Sequence, residues 1–395
     1  MDKRDEELLG RDPEVRVWSR RELLAWGGIV AAGTLAGCGH QVSVGRHQGP
    51  AYDVLGAHSL KTVGATHGLL TGCAVNTLAL RTDKAYADLV AGQSSILVAE
   101  NTMKWQALHP SRGTYSFDEA DGLIAFAESR RIKVRGHNLC WHRAIPAWVT
   151  ALGAGQGRAV LTEHIERVAG RYAGRMHSWD VVNEAIQVKD GRPDGLRLSP
   201  WLTLAGPDYI EAAFNAARAA DPQALLCYNE YGLEDENEDG RRKRQAVLML
   251  LRRLKTRGVP VDALGIQSHL TAGSATACGP GLMAFLREAR AMDLQVFLSE
   301  LDMNDRQLPA DIEVRDTGVA ETYSRYLDMV LAEPAVTVLL TWGITDKYCW
   351  LNKEGARADG LAERALPFDA AYRPKPAFAS IRSSIERRSL PARRL

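Results

Sequence analysis

Seven places in the chain set carboxylates, amides, imidazoles and indoles side by side, each directly after a short apolar run. They are Glu100-Asn101 with Lys104 and Trp105, His137-Asn138 with Trp141 and His142, Asn183-Glu184, Asn229-Glu230-Tyr231, Gln267-Ser268-His269, Glu300 with Asp302, and Trp342 with Asp346 and Trp350. A lone polar residue in such a place is ordinarily a helix cap or a satisfied loop group. Seven in succession ask for another explanation. Flat rings stack on the apolar faces of sugars, while amides and charged groups bind hydroxyls. Two Glu at the ends of opposed strands are what glycoside hydrolysis needs, one to protonate the leaving oxygen and one to attack or to activate water. Rival chemistries find less support. His137, Cys140 and His142 match no standard zinc spacing, and there is no H-E-x-x-H, so no metal is expected. A serine nucleophile would want a G-x-S-x-G elbow, which is absent.

These clusters must be held by regular elements. The apolar runs read as eight strands: Leu69–Asn76, Ile96–Glu100, Ile132–Asn138, Ser178–Asn183, Ala224–Asn229, Ala263–His269, Gln295–Glu300 and Val336–Gly343. Amphipathic stretches lie between them, over Phe117–Arg130, Leu161–Tyr172, Tyr209–Ala220, Arg241–Arg257, Pro280–Met292 and Thr317–Leu331. Strands rich in Val, Ile and Leu with little alternation suggest a parallel sheet covered by helices. Eight strand-then-helix units fit a single α/β domain, a (β/α)8 TIM barrel, whose C-terminal strand ends converge on one face. An open doubly wound sheet is the alternative, but neither G-x-G-x-x-G nor G-x-x-x-x-G-K-[ST] is present to bind a nucleotide. No cofactor is expected.

The N-terminus reads differently. Arg20-Arg21 precedes an apolar, Gly- and Ala-rich stretch, Ala25 to Gly37, too short for a comfortable membrane span. Paired Arg before such a run resembles a twin-arginine export signal, and Leu35-Ala36-Gly37-Cys38 resembles a lipobox in which Cys38 is acylated. The expected organisation is therefore an export signal over 1–37, a tether over 38–67, a catalytic domain over 68–387 and a tail over 388–395. The protein is expected at the periplasmic or cell-surface side, monomeric, touching a membrane only through that anchor. A formal net charge of +1 carries no global pull toward nucleic acid. Six cysteines are too few for a disulfide scaffold.

The ordered motifs resemble glycoside hydrolase family 10, the endo-β-1,4-xylanases. The matching runs are Glu100-Asn101-Thr102-Met103-Lys104-Trp105, Arg135 to His142, Trp179 to Ala185, Gly265 to His269, Ser299-Glu300-Leu301-Asp302, Trp342 to Lys347, and Leu366-Pro367-Phe368-Asp369. The resemblance implies a retaining mechanism on xylan or xylo-oligosaccharides, with Glu184 as general acid/base and Glu300 as nucleophile. It implies that His269 and Asp302 orient the nucleophile and that Asn183 binds the 2-hydroxyl of the sugar under attack. Lys104, His137, Gln267 and Trp342 match the walls of that subsite, and Glu100, Asn101 and Trp350 its neighbour on the non-reducing side. Trp141, Trp148 and Trp179 are read as core or loop packing. Departures are Glu230 and Gly232 in place of the usual Asn-Asp-Tyr-Asn pattern, Ser299 for Thr, and Cys349 before Trp350. They bear on substrate preference. Two other readings stay open: a retaining β-glycanase preferring cellulose-like substrates, and a glycan-binding protein without activity.

Overall fold

The computed structural model describes residues 52–274, 278–354 and 356–389. The expected export signal, Cys38 and the tether up to residue 51 lie outside the described residues. Strands β1 (Leu70–Val75), β2 (Ile96–Ala99), β3 (Lys133–Trp141), β4 (Ser178–Asn183), β5 (Leu225–Glu230), β6 (Ala263–Ile266), β8 (Gln295–Asn304) and β9 (Val336–Thr341) form a parallel ring. It closes because β1 pairs with both β2 and β9, while β6 pairs with β8. The short strand β7 (His269–Thr271) stands outside the ring and pairs with the outer end of β8.

Side-chain alternation builds two cores. Ile96 and Val98 point into the barrel beside Ala74, Phe297, Val338 and Leu340. Leu97 and Ala99 point outward, into the layer beneath the helices. Those helices run over Asp118–Ser129, Gly157–Arg171, Tyr209–Ala220, Glu238–Thr256, Pro280–Ala291, Ile312–Val330 and Pro376–Glu386. The first unit carries two short helices, Thr77–Thr82 and Lys84–Gln93, over a stretch where the sequence pattern gives no helix. Two helices start earlier than their apolar periodicity implies, because caps extend them. Asp311 accepts from the backbone N–H groups of Glu313 and Val314, and Asn237 from that of Gly240.

Two expected boundaries move. The helix Leu60–Thr66 lies inside the stretch expected to be tether, and it buries Leu60 and Val63. Its start is capped by Ser59, and the Leu60 amide donates to Gln93 Oε1 at 3.0 Å. At the other end, Arg388 does not begin a free tail. It is buried and donates to the carbonyls of His67 and Val336, across the N-terminal end of the barrel. Strands β3 and β8 also run beyond Asn138 and Glu300. Each has a register shift there, between His137 and Cys140 on β3 and between Leu298 and Leu301 on β8. Such irregularities re-aim side chains, and these two fall where the polar clusters lie.

Candidate active site

The C-terminal strand ends bring Glu184 and Glu300 to one cleft, joined by amides. Glu300 Oε1 accepts from Asn229 Nδ2 at 2.7 Å, and the same nitrogen lies 2.8 Å from Asn183 Oδ1. Asn183 Nδ2 donates to Glu184 Oε1 at 3.1 Å. Gln267 Nε2 closes the set, 3.0 Å from Glu184 Oε1 and 3.3 Å from Asn183 Oδ1. His142 Nδ1 lies 3.7 Å from the other Glu184 oxygen. The Glu184 side chain is 12% exposed and that of Glu300 6%, so both carboxyls are reached only through the cleft.

Beneath Glu300 the barrel is charged. Arg135, fully buried, pairs with Asp180, which also holds His137 Nδ1 at 2.8 Å. Arg135 Nη2 reaches Asn229 Oδ1 at 3.2 Å, and Ser299 Oγ donates to the same oxygen at 2.7 Å. Gly265 makes room for this: a β-carbon there would fall 2.1 Å from Asn229 Oδ1.

A second chain of contacts supports Glu300 from the side. His269 Nε2 lies 3.4 Å from Glu300 Oε2, and its Nδ1 lies 3.0 Å from Asp302 Oδ1. Trp350 Nε1 donates to the other Asp302 oxygen at 2.6 Å. Burial works to lower the His269 pKa, but the charge and hydrogen bond of Asp302, with those of Glu300, raise it well above the ordinary imidazole value. For Glu300, burial works upward. The His269 hydrogen bond and the positive field of His137, His269 and Arg135 outweigh it and bring the carboxyl down from 4.5 to about 2. The Glu300 carboxylate is thus held ionised.

Around this pair lie the other expected residues. Lys104 Nζ donates to Asn101 Oδ1 at 2.9 Å. Burial lowers the Lys104 pKa, against the opposing pull of Glu300, Glu100 and Glu184. Burial likewise raises that of Glu100. Trp342 stands edge-on to His137 and His269, with ring centroids 5.3 and 6.5 Å apart.

Some residues differ from their expected places. Trp141 is half-buried at the cleft rather than packed in the core, with Lys104 Nζ 5.1 Å from its ring. Trp148 and Trp179 do pack, Trp179 with no exposure. Glu230 turns away into the wall, where Lys243 Nζ pairs with it at 2.9 Å. Asp346 is buried against Lys375 Nζ at 2.7 Å. Sequence reasoning assigns no role to Asn229, Arg135 or Asp180. Asn229 carries one signal, its place at a strand end beside Asn183 in the ring.

Known proteins resemble this chain throughout the barrel. The model of glycosyl hydrolase family 10 matches residues 59–384. The endo-1,4-β-xylanase B of Thermotoga neapolitana is 33% identical over 306 residues, covering 76% of this chain and 83% of that one. A β-1,4-xylanase of Dictyoglomus thermophilum is 35% identical over 305 residues, covering 75% and 83%. Among solved structures, native xylanase 10B from Thermotoga maritima superposes with a TM-score of 0.76 at 33% identity, covering 83% of this chain and 98% of that one. Xylanase 10B from Thermotoga petrophila, solved with xylobiose, gives 0.74 at 32% identity, covering 86% and 99%.

Proposed function

The chain belongs to glycosyl hydrolase family 10, and from that premise we infer that it is a retaining endo-1,4-β-xylanase. It cuts internal β-1,4-xylosidic bonds of xylan by double displacement. One observation carries the assignment of roles: two cleft carboxyls share an amide bridge, yet Glu300 faces an imidazole, His269, that is itself held by a carboxylate, and its Asn229 partner is backed by the buried Arg135, whereas the imidazole near Glu184, His142, stands 3.7 Å away. Glu300 attacks the anomeric carbon while Glu184 gives its proton to the departing sugar oxygen. The anomeric carbon is then esterified to Glu300. In the second step Glu184 takes a proton from water as that water attacks the same carbon, and Glu300 leaves as carboxylate. Loss of the Glu300 charge in the intermediate favours the ionised form of Glu184, which the base role needs. Asn183 binds the 2-hydroxyl, and Asp302 orients His269. Lys104, His137, Gln267 and Trp342 wall the subsite under attack, with Glu100, Asn101 and Trp350 beyond it. The complex of the Thermotoga petrophila enzyme with xylobiose supports a xylo-oligosaccharide in such a cleft.

The test is release of reducing ends from xylan against carboxymethylcellulose, with product anomer followed by NMR. Faster release from xylan with retained configuration is expected. Inverted product would refute the mechanism, and a preference for carboxymethylcellulose the substrate.

We further propose that the protein is exported and held at a membrane by acylation of Cys38, which the paired Arg and the Leu-Ala-Gly-Cys run support. Wild-type protein should fractionate with membranes, and Cys38→Ser should release it. Soluble wild-type protein beginning at another residue would refute the anchor.

A further inference from the structure

Glu184, read as the general acid/base, sits in a strained turn. Its backbone has φ +57°, in the left-handed region where a β-carbon crowds the neighbouring carbonyl. A side chain aimed from such a turn keeps its direction only while the peptide groups on both sides are held. The Glu184 amide donates to the Asn229 carbonyl at 2.9 Å. The Glu184 carbonyl accepts from Arg197 Nε at 2.8 Å.

Arg197 comes from the far limb of the loop after β4. The limbs pair with each other: Arg197 N donates to Ala185 O at 2.8 Å, and Gln187 N to Gly195 O at 2.9 Å. The guanidinium then reaches the next loop, where Nη2 donates to Tyr231 Oη at 3.0 Å. Lys243 Nζ sits 3.3 Å from the centre of the Tyr231 ring and 2.9 Å from Glu230 Oε1. Glu230 Oε2 accepts from the Ile186 amide at 3.1 Å, which returns the path to within two residues of its start. This loop of contacts runs through two buried charges, Glu230 and Lys243. None of these hydrogen bonds touches the carboxylate of Glu184 or Glu300.

We propose that Arg197 is a positioning residue for the general acid, a role that rests on the acid/base reading of Glu184. It fixes the Glu184 peptide in its left-handed turn, and Tyr231, Lys243 and Glu230 hold the guanidinium in place. The consequence is selective. Misaiming Glu184 harms the steps that move a proton through it and spares a step that does not.

The test uses Arg197→Gln and the milder Tyr231→Phe, with phenyl and 2,4-dinitrophenyl β-xylobiosides. Phenolate leaves with a proton from Glu184, whereas dinitrophenolate leaves without one. General acid assistance is worth about 10²–10⁴-fold, and partial misalignment should forfeit part of it. For Arg197→Gln, kcat/KM on the phenyl glycoside should fall by about 10- to 100-fold, against less than about 3-fold on the dinitrophenyl glycoside. On the latter, kcat and KM should fall together, because the covalent intermediate waits for its base, and azide should raise kcat with retained configuration. Tyr231→Phe should change the ratio of the two kcat/KM values in the same direction by a smaller factor. Thermal melting is measured for each variant. An equal loss on both substrates, or no loss on either, overturns the proposal. Should Arg197→Gln fail to fold, an unchanged ratio in Tyr231→Phe overturns it. Glu184→Ala is run alongside. If it too lacks leaving-group dependence, the acid/base reading of Glu184 fails. If it shows the dependence and the other variants do not, only the positioning role fails.

Discussion

Replacing His269 by Gln should move the acid limb of the pH–rate profile upward. The Glu300 carboxyl sits at about 2 rather than 4.5, a depression of roughly 2.5 pH units, or about 3 kcal/mol in favour of the ionised form. Glu300 is 5% exposed, so solvent screens little of this. Burial opposes the depression, and the His269 hydrogen bond is the foremost of the contributions that outweigh it. The buried Arg135 and His137 persist in the variant, so part of the depression survives. We expect the limb to rise by about 1 to 2 pH units. The assay is kcat/KM on 2,4-dinitrophenyl β-xylobioside, whose first step needs no proton from Glu184, so the acid limb reports Glu300. Circular dichroism at each pH separates titration from unfolding. The sign for stability follows the same shift. A depressed carboxyl stabilises the fold fully above about pH 4.5, and this contribution fades as pH falls toward about 2. The variant should therefore melt closer to wild type at low pH than at pH 7. An acid limb within about 0.3 pH units of wild type would show that Glu300 does not depend on His269 for its charge.

Asp302→Asn removes the carboxylate that raises His269. A new loss of kcat/KM on the alkaline side, within the neutral range, should appear on the dinitrophenyl substrate, and its absence would rule out a protonated His269 in the working enzyme. Glu300→Ala should lose turnover on xylan, with azide restoring activity on the activated glycoside to give inverted product; near-normal hydrolysis of xylan would remove it as nucleophile. Glu184→Ala should show a pre-steady-state burst of dinitrophenolate with a low apparent KM, since the second step loses a base worth about 10²–10⁴-fold. Gly265→Ala would drive a methyl to 2.1 Å from Asn229 Oδ1. Overpacking of this kind costs about 1–3 kcal/mol, so both the melting temperature and kcat should fall. An unchanged kcat would mean that Asn229 is not needed to hold Glu300.

The barrel was legible because eight apolar runs alternate with amphipathic ones, and the cleft because polar residues follow nearly every run. Glu184, Glu300, His269 and Asp302 stand out on those terms. Arg135 and Asp180 do not, since they lie within strands, where alternation says only that a side chain is buried. Their partnership spans 45 positions and exists only once β3 and β4 lie side by side. Glu230 misleads for the opposite reason. It sits at a strand end like a cleft carboxylate, yet Lys243, from the helix Glu238–Thr256, draws it into the wall. The helix Leu60–Thr66 is short and carries Gly64, so local propensity speaks against it. It forms because Leu60 and Val63 find the core and Gln93 takes the Leu60 amide. Tertiary contact decided each of these cases.

The first and last described helices also have a geometric meaning. Leu60–Thr66 and Pro376–Glu386 touch, and Arg382 Nη1 bonds the Asp53 carbonyl at 3.0 Å. Both ends of the folded domain thus emerge together beneath the barrel, on the side opposite the cleft. Whatever holds the domain by either end presents the same open mouth outward, toward a polymer too large to diffuse in from behind. The neighbouring ends also permit a circularly permuted chain, joined there by a short linker and opened on a peripheral loop. Such a chain, coupled to a bead through its new ends, would offer the cleft in a different direction. Comparing its rate on insoluble xylan with that of a bead-bound wild type would separate the effect of orientation from that of chemistry.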